Sequence, residues 1–271
     1  MKKLRTTKQY IFMLLGAFIM IMPFLWMITT SLKPLKASYD PPYLIPNAFE
    51  FKNYLIAWQS APFVDYYKNS LIVSISITIG TILISAMAAY PFARLDFKGK
   101  NVLFYMFLGT MMIPFYVQII PLHSIIQKLG WLDTYKALII PRLFSPFGIF
   151  LFRQYFLTIP KELDEAAEID GCSKFRLFWR VILPLSKPAI ASLGIFTFLF
   201  GWNDFLWPLL VTNKPEFTTV QIGIANFSGK YGTFWTYLMA GTVTSVLPVF
   251  IVFIAGQKSF ISGIMSGGVK E

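Results

Sequence analysis

The sequence predicts an all-α integral membrane protein with six transmembrane helices and a cytoplasmic helical segment between the fourth and the fifth. Two features of the composition predict this class: 56% of the 271 residues are hydrophobic, and only 14% are charged. An ordinary soluble domain carries roughly 25% charged residues to cover its surface. A chain of this length with so few charges is therefore expected to face lipid over much of its surface.

Six apolar stretches are long enough to cross a bilayer, which requires about 20 residues in helical form. We assign them to one transmembrane domain over residues 1–271. The first stretch resembles a signal peptide in its basic start, but it is too long and lacks a small-residue cleavage site, so we interpret it as a retained span. The predicted spans are residues 10–30, 69–90, 102–122, 137–156, 187–210 and 234–256.

The distribution of lysine and arginine predicts the orientation of these spans, because basic residues accumulate in cytoplasmic segments. If the N-terminus is inside, the inside segments carry more Lys and Arg than the outside segments, beginning with Lys2, Lys3, Arg5 and Lys8. We therefore expect both termini in the cytoplasm. The net charge of +11 then suits anionic lipid headgroups better than nucleic acid, since the basic residues stand singly between apolar blocks.

Small residues and prolines indicate that the spans pack closely and are interrupted. Hydroxyl or methyl side chains four residues apart on one helix face allow neighbouring helices to approach. The second span carries two such series, which are Ser70, Ser74 and Thr78, and Thr81, Ser85 and Ala89. Prolines are tolerated in spans where neighbours or a cavity satisfy the freed backbone groups. Six of them are expected to interrupt or bound spans: Pro114, Pro121, Pro141, Pro146, Pro208 and Pro248.

One acidic stretch, "PKELDEAAEIDG" at 160–171, interrupts the apolar pattern. Its acidic residues cluster after Pro160, at the predicted start of a helix, where the helix dipole favours negative charge. Gly171 is placed to end that helix in a left-handed conformation. A small apolar face with the spacing i, i+3, i+4 is formed by Leu163, Ala166 and Ala167. These residues fit a solvated acidic surface helix, and they also fit a helix that enters a groove on another protein.

The stretch resembles the cytoplasmic signature of the permease subunits of bacterial binding-protein-dependent ABC importers. The resemblance lies in Glu165-Ala166-Ala167, in Gly171 six residues after the glutamate, and in "VILP" at 181–184, where the family usually has Ile in place of Val181. The segments "RQYFLTIPKELDEAAEIDG", "FGWNDFLWPLL" and "GGVK" resemble the carbohydrate branch, in particular the six-span maltose-permease subunit.

The resemblance implies a bacterial inner-membrane protein that forms half of a sugar pathway and performs no chemistry. It implies a second, homologous permease, two cytoplasmic ATPase subunits that bind ATP and magnesium, and an extracytoplasmic sugar-binding protein as partners, with no cofactor on this chain. The segment 160–185 would contain the coupling helix, which sits in a cleft of one ATPase. The coupling residues that it implies are Leu163, Glu165, Ala166, Ala167, Asp170 and Gly171.

Motifs for catalysis are absent from the sequence. No G-x-x-x-x-G-K-[ST] occurs, so we expect no ATP hydrolysis by a phosphate-binding loop in this chain. Three alternatives remain open at this stage: an importer of another small solute such as glycerol phosphate, a secondary transporter or channel, and a scaffold subunit of a membrane complex. The sequence does not specify which sugar an importer of this kind carries.

Asn203 and Asp204 are candidate pathway or gate residues. Asp204 lies 16 residues beyond Pro188, which corresponds to about 24 Å along a helix and places it towards the outer leaflet. Trp202 and Trp207 flank the pair as an interfacial aromatic belt does. Asp204 can be a carboxylate satisfied by water or by a neighbouring helix, or it can line the outer pathway.

Overall fold

The computed structural model describes residues 2–36, 44–229 and 232–268. Almost every element within these ranges is a helix, and the longest are α1 (Lys2–Ser31), α3 (Phe63–Arg94) and α14 (Trp235–Gly268). Strands are limited, in the described ranges, to β1 (Ser228–Gly229) and β2 (Gly232–Thr233), which pair antiparallel. The shorter helices are α2 (Lys52–Gln59), α4 (Lys100–Gly109), α5 (Phe115–Lys128), α6 (Tyr135–Ile139), α7 (Pro146–Thr158), α8 (Glu162–Ile169), α9 (Lys174–Leu177), α10 (Leu183–Leu185), α11 (Lys187–Asn203), α12 (Leu206–Val211) and α13 (Val220–Ala225).

The helical, apolar class predicted from composition is confirmed. Among the described residues, three single helices are long and apolar enough to cross a membrane: Gln9–Ser31, Phe63–Arg94 and Trp235–Lys258. The first two contain the predicted spans 10–30 and 69–90, and the third overlaps the predicted span 234–256.

Two of the remaining predicted spans are bent rather than straight. Three pairs of helices satisfy the same length and hydropathy requirement only when each pair is taken together. The sequence predicted single spans over 102–122, 137–156 and 187–210; the first two contain a bend, whereas the third bend lies just before residue 187. The pairs are Lys100–Met112 with Phe115–Lys128 at 95°, Tyr135–Arg142 with Pro146–Thr158 at 45°, and Lys174–Leu185 with Lys187–Asn203 at 75°.

Prolines and a serine cap explain the first two bends. Ile113 has φ −87° and ψ 110°, because the ring of Pro114 disfavours a helical conformation in the residue that precedes it. Ser145 is also extended, with φ −132° and ψ 100°, and its hydroxyl accepts a 3.0 Å hydrogen bond from the Gly148 amide. Pro146 therefore stands at the first position of a new helix, where its missing N–H costs nothing.

The fifth predicted span ends earlier than expected. Helix α11 stops at Asn203, and Asp204 leaves it with φ −68° and ψ 118°. The short helix α12 then begins at Leu206, and its Trp207 amide donates to the Asp204 carboxylate at 3.4 Å. The apolar pattern over 187–210 did not reveal this break, because Phe205 to Leu210 are as hydrophobic as the helix before them.

The described residues fall into two compact units, one within 1–65 and 222–247 and the other within 66–221 and 248–271. In the first unit, the end of α1 is joined to α2. The side-chain nitrogen Nδ2 of Asn53 donates to the backbone carbonyls of Ser31 and Lys33, each at 2.9 Å. Phe63 and Phe227 stack with ring centroids 5.7 Å apart. The Asn53 bonds attach the end of the first long helix to α2, and the aromatic pair joins two other parts of the same unit.

The second unit contains the main helix bundle, and its small residues permit close packing as predicted. A Cβ atom built on Gly148 of α7 would lie 2.4 Å from the Ser85 hydroxyl oxygen of α3. A Cβ atom on Gly201 of α11 would lie 3.2 Å from the Ser74 Cα of the same helix α3. The serines of α3 therefore face glycines of two other helices, which brings the backbones of these helices close together.

The contact between Gly148 and Ser85 gives a testable prediction. Gly148→Ala should lower the free energy of unfolding by about 1–3 kcal/mol, because the added methyl group overpacks a buried interface that also includes Leu193. Gly109→Ala is the matched control, since a Cβ atom there meets nothing within 4 Å. Thermal unfolding of the purified variants in one detergent measures both. Equal stability of the two variants would contradict the close approach.

Candidate functional site

The acidic helix, defined here as α8 (Glu162–Ile169), forms where the sequence predicts it. Glu162, Asp164 and Glu165 lie in its first turn, where they oppose the positive end of the helix dipole. Its exposed Glu168 forms an ion pair with Lys174, which lies beyond the following turn. The acidic helix is thus followed by a basic segment, which is defined here as residues 173–187.

Gly171 ends the acidic helix in the predicted left-handed conformation, with φ +76°. The Cys172 amide donates to the Ala167 carbonyl at 2.8 Å, and the Gly171 amide donates to the Glu168 carbonyl at 3.0 Å. These two bonds form a Schellman motif, which satisfies carbonyls at the end of a helix. A residue with a β-carbon at position 171 would be strained by the positive φ, although the space around it is open.

The small apolar face predicted on the acidic helix is divided in the structure. Ala167 is 9% exposed and belongs to this chain's own core, together with Ile159 and Leu177. Leu163 is 41% exposed, and Ala166 is exposed beside Glu165 and Asp170. The methyl group of Ala167 is covered by residues of this chain in the conformation described. Leu163, Glu165, Ala166 and Asp170 remain accessible.

Asp164 attaches the acidic helix to the end of α3. Its carboxylate lies 3.5 Å from the Nε of Arg94, and the Asp164 and Arg94 side chains are 14% and 3% exposed. Arg94 also donates through Nη2 to the Ile159 carbonyl, at the end of α7, at 2.8 Å. Burial raises the pKa of the Asp164 carboxyl above its usual range, and the Arg94 guanidinium opposes that shift.

The basic segment after Gly171 begins with a capped turn. The Ser173 hydroxyl accepts from the Arg176 amide at 3.3 Å, which is a normal N-cap contact. Helix α9 continues into a π-helical stretch, Phe178–Ile182, and then into α10. Phe178 and Ile182 are buried, whereas the cationic side chains of the segment are exposed: Lys174, Arg176, Arg180 and Lys187.

A cavity of about 680 Å³ lies among the bent helices of the second unit. The breaks at Ile113 and at Ser145 both contribute to its wall, which agrees with the rule that irregular backbone at membrane depth lines a cavity. Aromatic rings form one part of the wall: Phe115, Phe144, Phe147, Phe196 and Phe200. Polar side chains form another part: Thr81, Thr110, Gln118, Arg142, Ser145 and Thr197.

Arg142 is the charged side chain in this wall, and it is neutralised within the chain. Its Nη2 donates to the Asp204 carboxylate at 2.6 Å, and the Arg142 and Asp204 side chains are only 6% and 14% exposed. The guanidinium also lies 3.8 Å from the ring centroid of Phe115 and 4.9 Å from that of Phe200. Both cation–π contacts and the ion pair therefore hold Arg142 in one position.

The two residues predicted as a gate, Asn203 and Asp204, have different environments in the structure. The Asp204 carboxylate is paired with Arg142. This agrees with the first of the two interpretations given above, in which a neighbouring part of the chain satisfies the carboxylate. Asn203 is exposed and lies 3.5 Å from the amide nitrogen of Gln221. Neither lines the cavity, whereas Arg142 does. The signal that could have identified Arg142 is its isolation in the apolar stretch "ALIIPRLFSPF", since a charge inside a span usually has a functional or paired role.

The Arg142–Asp204 pair gives a second prediction. Arg142→Met or Asp204→Leu alone should lower the free energy of unfolding by about 3–5 kcal/mol, because each leaves a buried charge unpaired. The double variant should be more stable than either single variant, since it leaves no unpaired charge. A double-mutant cycle of thermal unfolding measures the coupling. Additive losses would show that the two groups do not interact.

Comparison with known proteins identifies the family. The model of the family described as "Binding-protein-dependent transport system inner membrane component" matches residues 80–261. The probable ABC transporter permease protein YurM of Bacillus subtilis is 37% identical over 97% of this chain and 88% of its own length. The arabinooligosaccharides transport system permease protein AraQ of Halalkalibacterium halodurans is 37% identical, with 94% of this chain and 92% of its own length covered. The sn-glycerol-3-phosphate transport system permease protein UgpE of Yersinia enterocolitica is 34% identical, with 94% of each chain covered.

The fold agrees with that of a solved transporter. A chain of a bacterial ABC transporter involved in the import of the acidic polysaccharide alginate has a TM-score of 0.84 and 22% identity, with 95% of this chain and 97% of that chain covered. At this identity the likeness shows the fold alone. The resemblance read from the acidic stretch is confirmed by the family match and by the relatives: the chain belongs to the family of inner membrane components of binding-protein-dependent transport systems, the permease subunits of ABC importers.

Proposed function

We propose that this chain is the permease subunit of an importer for an uncharged oligosaccharide. The observation that carries the proposal is the cavity among the bent helices, whose wall combines aromatic rings with hydroxyl and amide groups and whose one arginine is already neutralised by Asp204. Sugar rings offer apolar faces to aromatic side chains and hydroxyl groups to polar ones. AraQ, a relative at 37% identity, belongs to an arabinooligosaccharide system and supports this substrate class.

The chain crosses the membrane six times in this proposal. Three long helices and the first two bent pairs supply five spans, and α11 (Lys187–Asn203) of the third pair supplies the sixth, while Lys174–Leu185 lies along the inner membrane surface. The excess of lysine and arginine on the predicted inner side supports cytoplasmic N- and C-termini. The acidic helix and the basic segment then lie on the cytoplasmic side, where the exposed cations meet anionic headgroups.

The partners follow from the same orientation. The exposed part of the acidic helix, with Glu165 and Ala166, seats in a cleft of a cytoplasmic ATPase subunit. A second permease completes the pathway, and a binding protein delivers sugar from outside. ATP and magnesium act on the ATPase subunits, and this chain contributes no catalytic group. A likeness at TM-score 0.63 to a chain of a bacterial alginate ABC transporter in complex with a pentasaccharide-bound periplasmic protein is compatible with this assembly.

Glycerol phosphate is the second candidate substrate, because UgpE is 34% identical to this chain. A phosphate group is bound by unpaired cations or by several donors. In the cavity wall, as far as the structure describes it, the one basic side chain is Arg142, and its charge is balanced at 2.6 Å. The cavity therefore favours an uncharged solute over an anion.

Uptake into liposomes by the assembled transporter, with its ATPase and binding protein, tests the proposal. We expect ATP-dependent uptake of arabinotriose, no uptake of sn-glycerol 3-phosphate, and copurification of the ATPase. Thr197→Val should raise KM for the sugar about fivefold, the effect of one lost hydrogen bond of about 1 kcal/mol. Ser192→Ala, on the same helix α11 but outside the cavity wall, is the control. Uptake of the phosphate ester in place of arabinotriose would refute the assigned substrate class, and an equal KM in both variants would show that Thr197 does not contact the sugar.

A further inference from the structure

Arg94 stands where three helices of the second unit meet. It is the last residue of α3, it donates at 2.8 Å to the carbonyl of Ile159 at the end of α7, and its Nε lies 3.5 Å from the carboxylate of Asp164 on the acidic helix. The Arg94 and Asp164 side chains are 3% and 14% exposed. One buried guanidinium thus holds the acidic helix against the ends of two helices of the bundle.

The two helices that Arg94 joins both reach the cavity. Thr81 of α3 lines the wall 13 residues before Arg94, which is about 20 Å along the helix. Phe147, in the first turn of α7, lines the same wall at the end opposite to Ile159. Beyond Thr81 and Phe147, α3 and α7 continue as helices to Arg94 and Thr158, and α3 contains one proline on the way, Pro91. A displacement applied at Arg94 therefore has two helical routes to the cavity.

The hydrogen bonds around Arg94 are incomplete in this conformation. Among the described residues, three buried polar atoms in this region have no hydrogen-bond partner: the Tyr90 hydroxyl oxygen, Arg94 Nε and Asp164 Oδ1. Tyr90 lies one turn before Arg94 on α3, and its ring contacts Phe178 of the basic segment at 5.2 Å between centroids. Buried polar groups are normally satisfied, so exceptions call for an explanation. The charge of the Arg94–Asp164 pair, rather than a full network of hydrogen bonds, therefore joins the acidic helix to α3.

We propose that Arg94 and Asp164 are the positioning residues that make the acidic helix and the end of α3 move as one body, so that movement of the ATPase reaches the cavity. The inference rests on the proposed role of the acidic helix in binding an ATPase. It concerns transmission rather than docking, because Asp164 is covered by this chain while Glu165 and Ala166 are exposed. The ion pair between Glu168 and Lys174 is exposed and joins only neighbouring turns, so it does not serve this purpose.

Asp164→Asn tests the proposal, since it removes the charge and keeps the size of the side chain. In the assembled transporter we expect the ATPase to copurify and ATP hydrolysis to continue. The arabinotriose imported per ATP hydrolysed should fall at least about fivefold, the low end of typical coupling between sites. Arg94→Gln should have the same effect. Asp96→Asn is the matched control, because this carboxylate near the end of α3 also has a basic partner, Lys100, but is 98% exposed.

A distance measurement separates transmission from general stability. With Cys172 replaced by Ser, spin labels on Met87→Cys, an exposed position of α3, and on Glu168→Cys should keep one distance in the nucleotide-free and the ADP–vanadate states. In Asp164→Asn that distance should change or broaden on trapping. Unchanged coupling and distance in Asp164→Asn would overturn the inference, as would loss of the ATPase from this variant, which would make Asp164 a docking residue. If the parent chain itself fails to retain an ATPase, the proposed function is wrong instead.

Discussion

The bundle depends on one constraint: inside a bilayer, each charge and each break in a helix must be satisfied by the chain itself. Arg142 and Asp204 meet this constraint together. Asp204 leaves α11, neutralises Arg142 at 2.6 Å and accepts from the first turn of α12, while Phe115 and Phe200 cover the guanidinium. The bent helices around this pair open a cavity of about 680 Å³. The residue at which α11 breaks, Asp204, is thus the residue that neutralises the arginine in the cavity wall.

A second buried pair, Arg94 with Asp164, lies at the C-terminal end of α3 and has a different environment. The Arg142 pair is short and supported by aromatic rings, which suits a fixed wall. The Arg94 pair is 3.5 Å long and lies where α3, the end of α7 and the acidic helix meet, which suits a junction that holds these helices together. Helix α3, which contains Pro91, runs between the two regions. Its Ser74 and Ser85 pack against Gly201 of α11 and Gly148 of α7, so α3 is in close contact with both neighbours.

Sequence patterns predicted the local structure well, since it follows from short-range chemistry. The acidic first turn and the left-handed Gly171 could be predicted directly, because each acts on backbone groups a few residues away. Long-range pairing could not be read. Arg142 pairs with a residue 62 positions away, and nothing near either residue indicates the other. The burial of Ala167 was missed for the same reason, because which face of a short helix is covered depends on distant core residues such as Ile159 and Leu177.

The central claim is that the exposed face of the acidic helix seats in an ATPase subunit. Cross-linking of the assembled transporter tests this most directly, in a chain whose one cysteine, Cys172, is replaced by Ser. A cysteine at Ala166 should cross-link to the ATPase, because this position is exposed, whereas a cysteine at Ala167 should not, because its side chain lies in the chain's own core. An intact complex in which Ala166 fails to cross-link, or in which Ala167 reacts equally well, would contradict the account.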